Sequence, residues 1–116
     1  MVPNYAALRA LLRDLGGERE ARILVEGKRD IAALSGLGIP KERIVQTAQM
    51  NYSQLEKTLP KETKLIPLFD NDRTGLLRLK RFIGYFSANG FSIDYSYSAR
   101  CRTAGLTCLE DIGDLL

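Results

Sequence analysis

The sequence predicts a three-layer α/β domain with a mainly parallel sheet of about four strands. Short apolar segments, typical of buried strands, alternate along the chain with segments whose apolar residues recur at helical spacing. With 116 residues, 45% hydrophobic and 27% charged, the chain has the size and composition of one globular domain, assigned to residues 1–116. Alternating strands and helices favour parallel pairing, because parallel strands need a crossover connection, which is usually a helix.

The first half of the chain contains a helix and then two strand–helix units. An N-terminal helix is predicted over residues 4–15, because its leucines recur at helical spacing and Gly16-Gly17 follow it. Residues 21–27 (ARILVEG) and 43–48 (RIVQTA) have the apolar character of buried strands. Each strand is followed by a helix, the second of which has Ser53 as its predicted N-cap.

The second half repeats the alternation. Residues 64–70 (KLIPLFD) predict a third strand, although Pro67 cannot donate a hydrogen bond to a neighbour and leaves the pairing open. A helix over residues 75–90 is predicted to bury Leu76, Leu79, Phe82, Ile83 and Phe86. Residues 91–102 alternate strictly and predict an edge strand that turns Tyr95 and Tyr97 towards the core. A short helix is expected over about 107–115.

Composition excludes several kinds of chemistry. The chain has no histidine, and its two cysteines form no CxxC motif, so zinc sites and Ser-His-Asp or Cys-His nucleophiles are not expected. Cys101 and Cys108 are expected to be buried thiols. No apolar stretch is long enough to span a membrane and no secretory segment is visible, which predicts a cytoplasmic protein without a membrane partner. The net charge of +3 is compatible with a polyanionic partner.

Acidic residues end two of the predicted strands. Glu26-Gly27 follow the first strand, and Asp70-Asn71-Asp72 end the third. Ligands of open α/β sheets bind outside the carboxyl ends of the strands, so the three carboxylates converge if these strands are neighbours. Gly27 and Gly75 are expected to let the backbone turn sharply. A polar turn would explain the two aspartates, but a divalent cation explains them better, since it relieves the repulsion between like charges.

The two motifs together resemble the Toprim domain, which topoisomerases, bacterial primases and ribosomal-RNA-maturing ribonucleases share. The resemblance comprises VEGKRD followed downstream by FDNDRTG and extends from about Ile23 to about Arg102. Each motif alone is weak, but the pair in this order is fairly specific. The resemblance implies a Rossmann-like three-layer domain with its core at about residues 21–102, closest in motif to the ribonucleases and to small stand-alone Toprim proteins.

Roles for the site residues follow from this resemblance. It implies that Glu26 is the general acid/base and that Asp70 and Asp72 bind Mg²⁺ or Mn²⁺, with Glu26 sharing the ion. Lys28 and Arg73 join Glu26 in the catalytic set, and Asp30 would support the ligands from behind, although helix starts favour aspartate in any case. The expected phosphate contacts are Lys28, Arg29, Arg73 and Arg78. For the more distant Lys80, Arg81, Arg100 and Arg102, phosphate contact and an ordinary solvated surface stay open.

The resemblance implies Mg²⁺-dependent phosphodiester chemistry on nucleic acid, nuclease-like, with RNA expected ahead of DNA. The alternative is a non-catalytic nucleic-acid-binding module, or one subunit of a larger complex whose protein partner supplies further domains. A remote alternative is a phosphatase of the haloacid-dehalogenase type, since DNDRTG also fits DxDxTG with Asp70 as nucleophile and Asp72 as acid/base. That family carries the motif on its first strand, and EGKRD would then have no role.

Overall fold

The protein forms a four-stranded parallel sheet with helices on both faces. The structure is a computed structural model that describes residues 2–48 and 50–115. The elements, in chain order, are α1 (Tyr5–Gly16), β1 (Arg22–Val25), α2 (Lys28–Gly36), β2 (Ile44–Gln46), α3 (Tyr52–Thr58), β3 (Lys64–Pro67), α4 (Arg73–Ala88), β4 (Ser92–Ile93), α5 (Ser96–Thr103) and α6 (Ile112–Leu115). The expected three-layer α/β/α class with a sheet of about four strands is confirmed. Positions 1, 49 and 116 of the expected domain lie outside the described residues.

The strands follow the order β2-β1-β3-β4, and every pair is parallel. Alternate strand residues enter two separate hydrophobic clusters, as the pleat of a strand buried on both faces requires. Ile23 and Ile66 pack with α1, α2, α5 and α6, whereas Leu24 and Leu65 pack with α3 and α4. The sheet is therefore the middle layer, and its carboxyl edge is left for a site.

The N-terminal ends of helices α1 and α3 can be compared with the starts predicted from the sequence. The Asn4 side chain caps α1 by accepting a hydrogen bond from the Ala7 N–H at 3.0 Å, so the predicted start is confirmed. In α3 the cap is Asn51, which accepts from the Gln54 N–H at 2.8 Å. The prediction of Ser53 as the cap was wrong, because Asn51 and Gln54 exchange hydrogen bonds in a capping box and Ser53 lies inside the helix.

Pro67 ends β3 without leaving a hydrogen bond unmade. The Leu68 N–H donates to the Leu24 carbonyl at 2.8 Å. Because successive residues of a strand point their N–H groups to opposite sides, the even-numbered residues of this segment direct theirs towards β1. The nitrogen of Pro67 therefore faces the other neighbour, β4, which has already ended at Ile93. The missing donor costs nothing at this position, and a proline can terminate a strand that has neighbours on both sides.

The predicted edge strand over residues 91–102 was wrong for most of its length. The strand has only two residues, Ser92 and Ile93, and α5 begins at Ser96. Asp94 causes the change, because its carboxylate accepts a hydrogen bond from the Ser96 N–H at 2.9 Å and turns the chain. The α5 face towards the core contains Tyr97, Ser98 and Cys101, while Tyr95, which was expected in the core, is 57% exposed.

Helix α4 begins at Arg73, two residues before the predicted start, with Asp72 as its cap. Its buried residues include Leu79, Phe82 and Phe86, as predicted, whereas Leu76 is exposed. The expected final helix is a 3-10 turn over Leu109–Asp111 that continues into α6. Within the described ranges, no helix has both the length and the apolar character needed to cross a membrane.

Candidate metal and nucleic-acid site

The two acidic motifs meet at the carboxyl edge of the sheet. β1 and β3 are adjacent parallel strands with Leu24 opposite Pro67, so their carboxyl ends lie side by side. The Asp70 backbone N–H donates a hydrogen bond to Glu26 Oε1 at 3.2 Å, although 44 positions separate the two residues in sequence. The first and third strands are neighbours, which is the condition on which convergence of the acidic residues depended, and this brings Glu26 to the start of the Asp70-Asn71-Asp72 loop.

Glu26 is held by an ion pair that the sequence did not suggest. Its Oε2 lies 2.6 Å from an Arg78 guanidinium nitrogen; the Glu26 side chain is 18% exposed and the Arg78 side chain 55%. Arg78 was expected to contact phosphate, but in this structure its guanidinium binds Glu26. The pair joins β1 to α4 across 52 positions, a separation at which no local pattern predicts contact.

The loop after β3 is braced by the C-terminal segment. Asp70 Oδ1 accepts a hydrogen bond from the Leu109 N–H at 3.1 Å. Asn71 donates twice, from its backbone N–H to the Thr107 carbonyl at 2.7 Å and from its side chain to the Leu106 carbonyl at 2.8 Å. No role for Asn71 or for this segment was predicted from the sequence. Their contacts fix the backbone on which the two aspartates stand.

Asp72 and Gly75 complete this loop. Asp72 is exposed and caps α4, since its Oδ1 accepts from the Gly75 N–H at 2.7 Å. A Cβ placed on Gly75 would lie 1.9 Å from the Asp70 carbonyl oxygen, so only glycine fits without moving the backbone. The expected sharp turn was the wrong reason for Gly75, because the residue lies within helix α4 and its lack of a side chain serves a close approach.

Gly27 and Asp30 form the opposite side of the site. Gly27 has φ −147°, an extended conformation open to any residue, and a Cβ there would meet nothing within 4 Å, so a sharp turn does not explain this glycine either. Asp30 is buried and accepts a hydrogen bond from the Gly27 N–H at 3.0 Å. Burial raises the pKa of Asp30, and the nearby charges of Asp70 and Glu26 raise it further, against the lowering effect of the Gly27 bond.

Few of the described side chains at the carboxyl edge of the sheet could serve as metal ligands. In the described part of the chain, no three His, Cys, Asp or Glu side chains are grouped so as to hold one ion together. Asp70 and Asp72 each use one oxygen in a backbone hydrogen bond and stand on the same loop. Mg²⁺ usually takes one or two carboxylates and completes its shell with water and phosphate oxygens, so this all-oxygen pair is chemically suited to it.

The basic residues divide into two groups. Lys28 and Arg73 are exposed first residues of α2 and α4, so they stand at the same edge as Glu26 and Asp70. Arg29 is also exposed and lies 4.0 Å from Glu110. Arg100 was expected on the outer face of a strand together with Arg102. Both lie on α5 instead, where Arg100 pairs with Asp14 of α1 at 2.9 Å.

A cavity of about 320 Å³ adjoins Glu26 and is lined by Glu26, Thr47, Ala48, Tyr52, Phe69 and Arg78. We call it the Tyr52 pocket. A larger cavity of about 640 Å³ contains none of the expected site residues and lies where α3 and α4 end, near the opposite edge of the sheet. Sequence reasoning missed Thr47 and Tyr52, although both follow β2 and therefore stand near the carboxyl edge where ligands of such sheets bind.

The two thiols differ in their surroundings. Cys101 is buried, as expected, and burial raises its pKa to about 11, so it stays neutral and unreactive at physiological pH. Cys108 is half-buried and lies next to the loop of the two aspartates. Burial raises the pKa of Cys108, and the charges of Asp70, Asp111, Asp72 and Glu110 raise it further. Cys108 is therefore a natural reporter of charge at the site.

Comparison with known proteins places the chain in a family. No family model matches the sequence. The UPF0292 protein Mbar_A0484 of Methanosarcina barkeri is 30% identical over 97 residues, which cover 84% of this chain and 68% of that protein. The solved structure of a protein from Aquifex aeolicus superposes with a TM-score of 0.84 at 28% identity, covering 90% of this chain and 96% of the other. By its similarity to the Methanosarcina protein over most of both sequences, the chain belongs to the UPF0292 family.

Proposed function

We propose that this chain is a Toprim-type domain that carries out metal-dependent phosphodiester chemistry on nucleic acid, with RNA ahead of DNA as substrate. One observation carries the proposal: the hydrogen bond from the Asp70 N–H to Glu26 Oε1, at 3.2 Å, joins the two acidic motifs at the sheet edge. A strand-end glutamate beside an aspartate loop is the arrangement that the motif resemblance implies. Cytoplasmic location belongs to the proposal, because the two free thiols suit a reducing compartment.

Each acidic residue has a distinct part in this proposal. Asp70 and Asp72 would hold Mg²⁺ or Mn²⁺, and Glu26, which accepts a hydrogen bond from the Asp70 N–H, would act from beside this loop. When bound, the ion would stabilise negative charge on the phosphate oxygens. Glu26 would exchange a proton with the leaving or attacking oxygen, and for this it must part from Arg78. An incoming phosphate supplies the means, because it offers Arg78 an alternative anion.

Lys28 and Arg73 would position the phosphate backbone. Both side chains are exposed at helix starts that flank the acidic residues. A helix start also presents backbone N–H groups and a partial positive charge to an anion. Arg29 and Arg78 would extend this contact on the two sides of the site. These residues supply affinity that depends on salt rather than on base sequence.

The non-catalytic alternative has an observation of its own. Arg78 neutralises Glu26, and in the described residues no three carboxylates are grouped around one point. A module that only binds nucleic acid, within a complex whose other subunits do the chemistry, would need nothing more. No comparable observation favours the phosphatase, which leaves the contact between Glu26 and the Asp70 loop without a purpose.

The decisive assay measures cleavage of RNA and DNA substrates with and without Mg²⁺ or Mn²⁺, for the parent and for Glu26→Gln. The amide oxygen of glutamine can still accept the Asp70 N–H, so the fold of the loop should survive. We expect metal-dependent cleavage by the parent and a fall of about 10² to 10⁴ in the variant, the usual scale for losing a general acid or base. Binding should change little.

Glu42→Gln is the matched control, because Glu42 is exposed in the turn before β2, at the opposite edge of the sheet. It removes the same charge and should cut like the parent. If Glu26→Gln also cuts like the parent, Glu26 is not the acid/base. If neither protein cuts, while both bind with log affinity falling by roughly 0.9 per phosphate contacted on duplex DNA as log salt rises, the binding module is the correct function.

A further inference from the structure

The Tyr52 pocket adjoins the proposed phosphate site and shares Glu26 and Arg78 with it. Its lining combines two aromatic rings, Tyr52 and Phe69, with the Glu26 carboxylate, the Arg78 guanidinium and the Thr47 hydroxyl. Tyr52 also packs against Phe82, Tyr85 and Phe86, with ring centroids 5.2 to 6.1 Å apart. The pocket is thus the open end of an aromatic cluster that continues into the core.

The charge and the size of the pocket limit which ligands it could hold. A phosphate buried inside the pocket is disfavoured, because Arg78 is the one cation among the described lining residues and its charge is already balanced by Glu26. An aliphatic ligand would contact the two rings but would form no hydrogen bonds with the carboxylate, the guanidinium and the hydroxyl, which bond only to protein groups in this structure. At about 320 Å³ the pocket is near the lower end of the range for small-molecule sites, which is enough room for one nucleobase.

We infer that the Tyr52 pocket receives one unpaired nucleobase of the strand whose phosphate lies at Asp70 and Asp72. The inference rests on the proposed function and extends it to the substrate, which must be single-stranded or locally unpaired at this position. Aromatic side chains stack on bases, and Glu26, Arg78 and Thr47 offer both acceptors and donors to a base edge. Burial raises the pKa of Tyr52, so its phenol stays protonated and can also donate.

Position in the fold supports this assignment. Glu26 belongs to both places, since one of its oxygens accepts from the Asp70 N–H and its side chain also lines the pocket. A base in the pocket would therefore lie next to the phosphate on which Glu26 acts. It would also compete with Glu26 for Arg78, so that binding of the correct strand loosens the ion pair that restrains the acid.

The test uses the parent protein and single-stranded RNA oligonucleotides with Ca²⁺ in place of Mg²⁺, so that oxygen ligands at Asp70 and Asp72 still have a cation for the phosphate, and electrophoresis checks that no strand is cut. Each oligonucleotide lacks one base but keeps every phosphate. We expect one abasic position to weaken binding on the order of 10-fold, the scale of base–aromatic stacking lost on truncation. The salt dependence of binding should stay the same, because no phosphate contact is removed.

Two matched variants connect the effect to the pocket. Tyr52→Leu removes the aromatic ring but leaves an apolar side chain, and with it the abasic penalty should disappear. Tyr85→Leu removes another ring of the same cluster that does not line the pocket, and the penalty should persist. If no abasic position matters by more than about twofold while the salt dependence is normal, the base pocket is refuted and the proposed function stands. If no strand binds at all, both are refuted.

Discussion

The loops after β1 and after β3 meet at one edge of the sheet but are built in opposite ways. The loop after β3 is closely packed: a Cβ on Gly75 would lie 1.9 Å from the Asp70 carbonyl, and Asn71 is tied to residues 106 and 107. The loop after β1 is open, with nothing within 4 Å of a Cβ placed on Gly27. Its glutamate is held by the exposed Arg78 and by one backbone hydrogen bond.

Under the proposed function, this difference would suit two tasks. A loop that positions metal ligands gains from rigidity, because the aspartates need no rearrangement when an ion arrives. A loop that carries an acid/base residue must admit the substrate and let Glu26 exchange partners. The ion pair with Arg78 is only partly buried, so it contributes at most about 1 kcal/mol and can be broken at little cost.

The largest expected effect comes from filling the closely packed loop. Gly75→Ala forces a methyl group against the Asp70 backbone, and we expect a loss of about 2–3 kcal/mol in the free energy of unfolding, within the range for overpacking. The gain in helix propensity, at most about 1 kcal/mol, is too small to offset this clash. Urea denaturation measures the change.

Gly27→Ala is the matched substitution in the open loop. Its new methyl group meets no atom and its backbone is already extended, so we expect a change within about 0.5 kcal/mol. Equal losses in the two variants would contradict the contrast between the loops. A stable Gly75→Ala protein would show that the Asp70 carbonyl can move, and that this loop is not rigid.

A smaller, pH-dependent effect is expected at Asp30. Burial and the neighbouring acids raise its pKa in the folded state, so its contribution to stability is fully present below its ordinary value of 3.8 and is lost as pH rises through the raised pKa. Asp30→Asn removes this titration and keeps an oxygen for the Gly27 N–H. Between pH 4 and pH 7 the stability of the variant relative to the parent should therefore increase.

Urea denaturation of both proteins at pH 4 and pH 7 tests this expectation. A relative stability that falls over that interval would mean that the bond from the Gly27 N–H to the ionised carboxylate outweighs burial. Asp30 would then have a lowered, not a raised, pKa in the folded state.

Much of the architecture was predictable from local patterns. The strand that ends at Glu26 and the strand that ends near Asp70 are apolar runs bounded by polar residues, and the rule for parallel sheets places their ends together. The exception was residues 91–102, where alternating polar and apolar residues concealed a helix. Asp94 turns the chain there, and the buried face of α5 requires only Tyr97, Ser98 and Cys101.

The acidic residues of the site were predictable from the sequence, but the residues that contact them were not. Glu26, Asp70 and Asp72 stand out because charged residues end apolar strands. Arg78 and Leu109 contact these acids over 52 and 39 positions, and such contacts depend on how helices pack on the sheet. The sequence shows that residue 75 is a glycine, but only the folded backbone shows that this glycine lies against the Asp70 carbonyl.

The smallest expected effect is a change in the reactivity of Cys108, a thiol next to the loop of Asp70 and Asp72. Burial raises the pKa of Cys108, and so do the charges of Asp70 and Asp72. Mg²⁺ bound there would neutralise these charges and lower the pKa, so alkylation of Cys108 at pH 8 should become faster and then level off as Mg²⁺ is added. Cys101, with a pKa of about 11, is the internal reference. A rate that does not respond to Mg²⁺ would contradict a metal at this loop.

The central claim, that Asp70 and Asp72 hold a divalent cation beside Glu26, is tested most directly by calorimetric titration of Mg²⁺ or Mn²⁺. The comparison is between the parent and the double variant Asp70→Asn with Asp72→Asn. Asparagine keeps an oxygen for the Leu109 and Gly75 N–H groups, so the substitutions remove charge while preserving the loop. We predict saturable binding to the parent and none to the folded double variant. Equal affinity in both proteins would contradict the account.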